Sequence, residues 1–416
     1  MMRTRKLPPV LSVWANRNFA IFMAGCIPNY ITFWMQKVGI GWLAWELTHS
    51  PFWLGVVTAV DLMPLLVLAP FAGALADRWE ALKQFRVTQI CVLLHGVALP
   101  VLYFTGLMRI EVLIALSVYS GIIYPFNSTA RLAILPRLLP RAEFATGIGL
   151  DSAFFHGSRF IGPAIAAVII PVFGVGATFL VNAIGSANML TALWFVELRP
   201  SEGEPRKAKN IFADVGEAFS YIRNQGGIAT IFMMLTVASA FTRPIQDMMP
   251  ALAGDVFHSG AVGLAWLTSS LGIGAMISAA WIASRGRISG LTMVIISGAF
   301  NVSIGVAGLV ATDQLWIGIV CAVLTGFSLN TMSTSVQTLV QSSVSDDMRG
   351  RVMSLYIMIF RGAPAFGSLL IGIASSHFGL RITFAVAACM SLITGLIAFP
   401  RRRRLAAELE KDAHVR

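Results

Sequence analysis

Apolar runs of roughly 20 to 30 residues recur along almost the whole chain, each ended by a few polar or basic residues before the next begins. LMPLLVLAPFAGALA, residues 62–76, stops at Asp77 and Arg78, and another apolar run opens a few residues later. A run of this length crosses about 30 Å of hydrocarbon when it is helical. A soluble core has no use for such punctuation, so each block reads as a membrane span.

Composition agrees: 56% of the residues are hydrophobic and 12% charged, against about 25% charged in an ordinary soluble domain. Spans are expected near 18–47, 52–76, 84–106, 110–135, 143–170, 175–197, 227–254, 261–284, 289–311, 315–342, 348–376 and 379–399, twelve in all. The expected fold class is therefore all-α and integral to the membrane. The largest polar interruption, LRPSEGEPRKAKN at 198–210, leads into IFADVGEAFSYIRNQ, where Ile211, Phe212, Val215, Phe219 and Ile222 recur at helical spacing. The expected organisation is an N-terminal segment 1–17, a six-helix lobe 18–197, a linker with an amphipathic helix 198–226, a second six-helix lobe 227–399 and a tail 400–416.

The formal charge of +11 is a matter of topology. Of the 31 Lys and Arg, Arg109 and Arg381 lie in loops of one parity, Lys37, Arg159, Arg243 and Arg361 lie inside apolar runs, and the remaining 25 fall at the termini or in loops of the other parity. That asymmetry is the positive-inside signature; it places both termini in the cytoplasm and argues against a nucleic-acid partner. Cys26, Cys91, Cys321 and Cys389 show no CxxC or Cys/His spacing, so neither disulfide nor metal is expected. The basic N-terminus leads into a run too long for a signal-peptide core, and no cleaved signal is read.

The halves repeat. A shift of 205 places Gly162 on Gly367, Phe173-Gly174 on Phe378-Gly379 and Phe179 on Phe384; a shift of 207 places Ala76 and Arg78 on Ala283 and Arg285. Paired lobes of this kind mark transporters whose halves rock about a site near the midplane.

Gly73-x-Leu75-Ala76-Asp77-Arg78 resembles the loop between the second and third helices of the major facilitator superfamily. The chain departs from that pattern at Glu80, Ala81 and Leu82, where glycine and two bases are usual, with Lys83 one position late. FWMQKVGIGWLAWELTHSPFWLG (33–55), ARLAILPRLLPRAEFATGIGLDSAFFHGSRFIGPAIA (130–166) and DDMRGRVMSLYIMIFRGAPAFGSLL (346–370) resemble the drug:proton antiporter branch that contains macrolide efflux proteins and enterobactin exporters. The resemblance implies a twelve-helix fold in two lobes, efflux, proton coupling and a bacterial inner membrane. It implies a cytoplasmic latch at Asp77 and Arg78, with Arg349 and Arg351 as the counterpart in the second lobe. A cation at a helix start is unfavourable, so Asp346 or Asp347 is expected beside those arginines. Gly149, Ser158, Gly162 and Pro163 fall at the spacing of the family's antiporter motif, where small residues let helices approach closely.

Ionisable groups inside a span cost at least ~2.5 kcal/mol each and mark function by default. Asp61, Lys37, Asp151 and Asp247 are the candidates for proton coupling. Lys37 and Asp61 lie twelve residues either side of His49, at equal depth on neighbouring helices; the pair is either a static neutralised contact or a coupling site. Arg159 lies just over two turns from Asp151, and Arg243 and Asp247 lie four apart on one face. Gln36, Tyr124, Asn127, His156, Arg159, Arg243, Gln246 and Arg361 are candidates for the cavity wall. Four acids, counting Glu46, against four bases give the cavity no clear sign.

The expected function is secondary active export of a small organic molecule by a monomer, with protons and the bilayer as its other partners and no cofactor. An importer on the same fold differs by the direction in which energised cells move substrate. A polytopic membrane enzyme needs a long outer loop for catalytic acids or metal ligands, and no outer loop here is long enough. No G-x-x-x-x-G-K-[ST] loop occurs, which argues against transport driven by ATP on this chain.

Overall fold

The computed structural model describes residues 9–141, 143–199 and 211–410, and the described chain is helical from end to end. A short α1 (Pro9–Trp14) precedes α2 (Arg17–Thr48), α3 (Pro51–Arg78), α4 (Ala81–Phe104), α5 (Ile110–Leu138), α6 (Phe144–Phe173) and α7 (Val175–Phe195). The linker helix α8 (Ile211–Asn224) follows. Then α9 (Gly226–Val237) continues through a π-helical turn (Ala238–Thr242), a 3-10 turn (Arg243–Gln246), α10 (Met249–Ala251) and a second π turn (Leu252–Val256). The remainder is α11 (Gly260–Arg285), α12 (Leu291–Ala311), α13 (Leu315–Ser343), α14 (Asp346–Ala398) and α15 (Arg402–Leu409).

Among the described residues, ten helices are long and apolar enough to cross a membrane. The 53-residue α14 is two spans joined at Gly379, whose φ of 80° and ψ of 156° break the helical backbone. The 32-residue α2 is not among the ten, because Asn29, Gln36 and Lys37 dilute its apolar character, although its length is ample for a crossing. The expectation of twelve is consistent with this arrangement. The expected seventh span, 227–254, is irregular: two π turns and a 3-10 turn interrupt it. Such irregularity at membrane depth is tolerated where protein surrounds the backbone, and Ser239, Thr242, Pro244, Ile245, Met248 and Met249 are all buried.

The described residues form two compact units. One comprises the chain up to Leu43 together with Val67 to residue 199; the other comprises Ala44–Leu66 together with residues 211–410. The sequence places a boundary at the linker, but gives no hint that the end of α2 and the first half of α3 pack with the later helices. In the first unit Phe19, Phe22, Met23, Phe85, Leu135 and Leu193 form the packed interior; in the second, Ile231, Leu235, Ile295, Val336, Leu339 and Leu355 do. Lipid tails are as apolar as these side chains, so within the bilayer the gain comes from close contact and not from water exclusion. Glycine therefore matters. A Cβ on Gly162 would lie 2.7 Å from the Ile31 carbonyl oxygen of α2, and one on Gly367 would collide with the Ala240 carbonyl.

In α8 the packed face is Ala218 and Ile222, buried in the second unit's interior. Phe219, read from the sequence as part of that stripe, is 62% exposed. The side chains of Ile211, Phe212 and Val215 lie outside the described residues.

Candidate functional site

Within the first unit, α2, α4, α5, α6 and α7 surround a cavity of about 920 Å³ including its mouth. Gln36, Lys37, Tyr124 and Asn127, expected on a cavity wall, all line it. Tyr124 stacks on Phe33 at 6.0 Å between centroids and 17° between planes, and the Lys37 ammonium lies 5.4 Å over the same Phe33 ring. Asn127 donates to Thr88 Oγ1 and Gln89 Oε1, each at 3.2 Å, and Gln89 in turn donates to the Ser186 carbonyl. A chain of amides thus crosses from α5 through α4 to α7. It fixes the wall and satisfies groups that hydrocarbon cannot.

The strongest electrostatic feature sits where α2, α5 and α6 meet. Asp151, 4% exposed, accepts a hydrogen bond from Tyr30 Oη at 2.6 Å on one carboxylate oxygen, and on the other pairs with Arg131 Nη1 at 2.7 Å. Arg131 Nη1 also donates to Tyr30 Oη at 2.5 Å, closing a triangle. The guanidinium lies 5.3 Å over the Tyr30 ring and 5.7 Å over the Phe155 ring. Tyr30, Arg131 and Phe155 all line the cavity. Charge-assisted bonds of this kind are roughly twice as strong as neutral ones, and each charge, once desolvated, depends on its partner: removing one leaves the other buried and uncompensated.

Arg131 was missed in the sequence, where it counts among the loop bases near the end of the expected span 110–135. The helix runs on to Leu138. The equal-depth argument applied to Lys37 and Asp61 would have found it: Arg131 and Asp151 lie ten residues either side of Arg141, at the turn between α5 and α6. The expected partnership of Asp151 with Arg159 is corrected accordingly. Both carboxylate oxygens of Asp151 are engaged by Tyr30 and Arg131, and Arg159 lies over the Trp34 ring at 4.8 Å. His156, one residue beyond Phe155, is exposed and is not among the residues lining the cavity. Along α6, Ser158 is buried and bonded to the Phe154 carbonyl, Gly162 and Pro163 are buried, and Gly149 faces open space.

In the second unit, Asp247 Oδ2 accepts a hydrogen bond from Ser368 Oγ at 2.7 Å, and Arg243 lies 4.1 Å over the Phe360 ring. The backbone from Arg243 to Gln246 is a 3-10 turn, so the α-helical spacing assumed for Arg243 and Asp247 does not hold there. Gln246 is half-buried and Arg361 exposed. Lys37 and Asp61 fall in different units.

Of the expected latch residues, Asp77 and Arg78 occupy the last turn of α3 and Asp346 the first residue of α14; the side chains of all three lie outside the described residues. Arg351 has an acidic neighbour, Glu217 of the linker helix, at 2.6 Å. Asp347, one of the two acids expected there, lies within electrostatic reach of Arg351, and Glu217, 134 positions away on α8, is a further acid that local spacing could not reach. Asp347 is exposed, and Arg349 Nη2 donates to the Val344 carbonyl at 3.3 Å.

Comparison with known proteins places this geometry. The profile of the family described as transmembrane secretion effector matches residues 10–415. A staphyloferrin A transporter of Staphylococcus aureus is 26% identical over 388 residues, covering 92% of this chain and 95% of that protein. An enterobactin exporter of Citrobacter koseri is 26% identical over 369 residues, 85% and 84% of the two chains. Macrolide efflux protein A of Streptococcus pyogenes is 20% identical over 390 residues, 93% and 94%. Among solved structures, a nucleoside transporter 12% identical superposes with a TM-score of 0.72 over 92% of this chain and 98% of its own, a likeness of fold alone. The chain therefore belongs to the transmembrane secretion effector family, efflux transporters of the major facilitator superfamily.

Proposed function

We propose that the protein is a monomeric exporter in the bacterial inner membrane, with both termini in the cytoplasm, that exchanges a small organic molecule of the macrolide or siderophore kind for protons. It performs no covalent chemistry on what it moves. The lopsided distribution of Lys and Arg supports the orientation. The named substrates of the macrolide and enterobactin exporters support the substrate range.

The observation that carries the coupling is the Tyr30–Arg131–Asp151 triangle against the cavity. Asp151 is the carboxylate we assign to the coupling. Ionised, it holds α2, α5 and α6 together; protonated, it releases the charge-assisted bond to Arg131. The arginine is not then stranded in the bilayer, because it keeps Tyr30 Oη and the faces of Tyr30 and Phe155. Such contacts offset part of a buried cation's cost, about 0.5 to 2 kcal/mol each. A carboxylate whose partner has somewhere else to go is a switch; one whose partner has nothing else is a static brace.

The test is Asp151→Asn in proteoliposomes loaded with a radiolabelled macrolide or enterobactin. Proton-driven efflux should fall at least tenfold while substrate counterflow, which needs no proton, persists. Retention of both activities, or loss of both, removes Asp151 as the coupling group.

A further inference from the structure

The last membrane helix ends at Ala398, and after Phe399 and Pro400 four arginines follow without a break, Arg401 to Arg404. They open α15, which turns back onto the second unit: Leu405 and Leu409 are 4% and 2% exposed and join the interior formed by Ala218, Ile222 and Leu291. Glu410, the next residue, is 5% exposed, and its carboxylate accepts hydrogen bonds from the Gly290 amide at 2.7 Å and the Thr292 amide at 2.8 Å. A carboxylate is thus delivered from the far end of the chain to the start of α12, where the helix dipole favours an anion and the first amides need acceptors. The tail is a clip joining α9, α12 and the end of α14.

The four arginines differ in what holds them. Arg402 stacks on the Phe399 ring at 4.3 Å and donates to its carbonyl at 3.0 Å, and Arg404 pairs with Glu408 at 2.9 Å; both shape the clip itself. Arg401 and Arg403 are exposed and carry no side-chain hydrogen bond or ion pair among the described residues. They stand within five residues of the last apolar residue of a membrane span, beside Phe399, itself 39% exposed. Arg285 and Arg287 shortly precede Gly290, which Glu410 binds, and add positive charge to the same end of the unit. We propose that Arg401 and Arg403 bind the headgroup of an anionic phospholipid at the membrane surface, and that the bound lipid holds the C-terminal clip on α12. The headgroup phosphate matches the guanidinium fork, and each basic residue near an anionic surface contributes about a fivefold gain in affinity.

The experiment uses the full chain in nanodiscs of phosphatidylglycerol or of phosphatidylcholine, with hydrogen exchange followed in α15 and in the first turn of α12. In the wild type, exchange in both segments should be about tenfold slower in phosphatidylglycerol. Arg401→Gln with Arg403→Gln should abolish the difference, and Arg401→Lys with Arg403→Lys should retain most of it. These side chains are exposed and unpaired, so folding should be unaffected, which the exchange of α4 and α13 checks in the same samples. Equal exchange in the two lipids, or a full difference persisting in the glutamine variant, overturns the proposal. So does an equal slowing by inorganic phosphate added to phosphatidylcholine discs, which would make the site one for a free anion. Macrolide efflux by the same variants reports separately on transport.

Discussion

Gly174 in the first unit and Gly379 in the second, 205 residues apart, hold nearly the same backbone, φ 78° and ψ 166° against φ 80° and ψ 156°. The phenylalanine before each is exposed, 71% and 66%, and the one five residues after each, Phe179 and Phe384, is fully buried. Gly162 and Gly367, also related by 205, each meet a backbone carbonyl of the helix that opens their half, Ile31 in α2 and Ala240 after α9. The same shift carries Asp151 onto Tyr356, and there the likeness ends. Tyr356 is 4% exposed and donates to the Ser333 carbonyl at 3.1 Å, a neutral bond in place of a three-way charged one. Where the frame is set by how closely helices can approach in lipid, the two halves agree. Where the bilayer must tolerate a charge, they differ, and the charge chemistry is the better marker of function.

The shared frame is tested most severely at its glycine contacts. A Cβ at Gly367 meets backbone, which cannot turn aside, so Gly367→Val should prevent recovery of a monodisperse protein in detergent. Gly162→Ala, with its neighbours at 2.7 Å, should fold but lose about 1 to 3 kcal/mol. Wild-type melting of both variants would show that the interhelical distances are looser than the repeat implies.

The divergent chemistry comes next in size. Asp151→Asn should cost about 3 kcal/mol because Arg131 loses its carboxylate partner, a loss that Tyr30 and two ring faces offset in part, whereas Tyr356→Phe removes one neutral bond worth about 1 kcal/mol. Replacing both partners, Arg131→Met with Asp151→Leu, should cost less than Asp151→Asn alone. Equal thermal shifts for Asp151→Asn and Tyr356→Phe would erase the distinction between the halves. A further pair of effects returns to the frame: Gly174→Ala and Gly379→Ala should each cost about 1 to 3 kcal/mol, since φ near 80° with ψ near 160° is a backbone region essentially reserved to glycine. Unequal costs would mean that the two breaks are supported differently.

Much of this is legible in the sequence itself. Run length and the absence of charge fix the helices, and the 205 shift already paired Gly162, Gly174 and Phe179 with their partners. Arg131 escaped because a base near a span end reads as a loop residue until the helix is seen to continue to Leu138. Glu217 escaped as the partner of Arg351, and Glu410 as the cap on α12, because both contacts join segments more than a hundred residues apart. The irregular turns between Ala238 and Val256 left no mark, because their composition is that of an ordinary span.

One repeat was hidden by its shift. Glu46-Leu47-Thr48-His49-Ser50 and Asp255-Val256-Phe257-His258-Ser259 stand 209 apart, each an acid three residues before a His-Ser pair, and both histidines adopt φ 46°. The second copy is tied to the first through Trp45: its indole packs edge-on against His49 at 5.5 Å and touches Gly254, whose carbonyl lies 3.2 Å from His258 Nδ1. Partial burial raises the pKa of Asp255, and His49 and His258 pull it down by less. For an acid whose folded pKa is raised, the favourable contribution is fully present below its unfolded value, about 3.9, and is lost as pH rises through the folded value. Asp255→Asn should therefore melt closest to wild type at the acid end of the carboxylate range and progressively above it as pH rises. This is the smallest of the expected effects, because Asp255 is largely exposed. A gap that is constant with pH, or one that closes as pH rises, would mean that the two histidines outweigh burial, and that the end of α2 and the end of the irregular segment after α9 are bound together by charge.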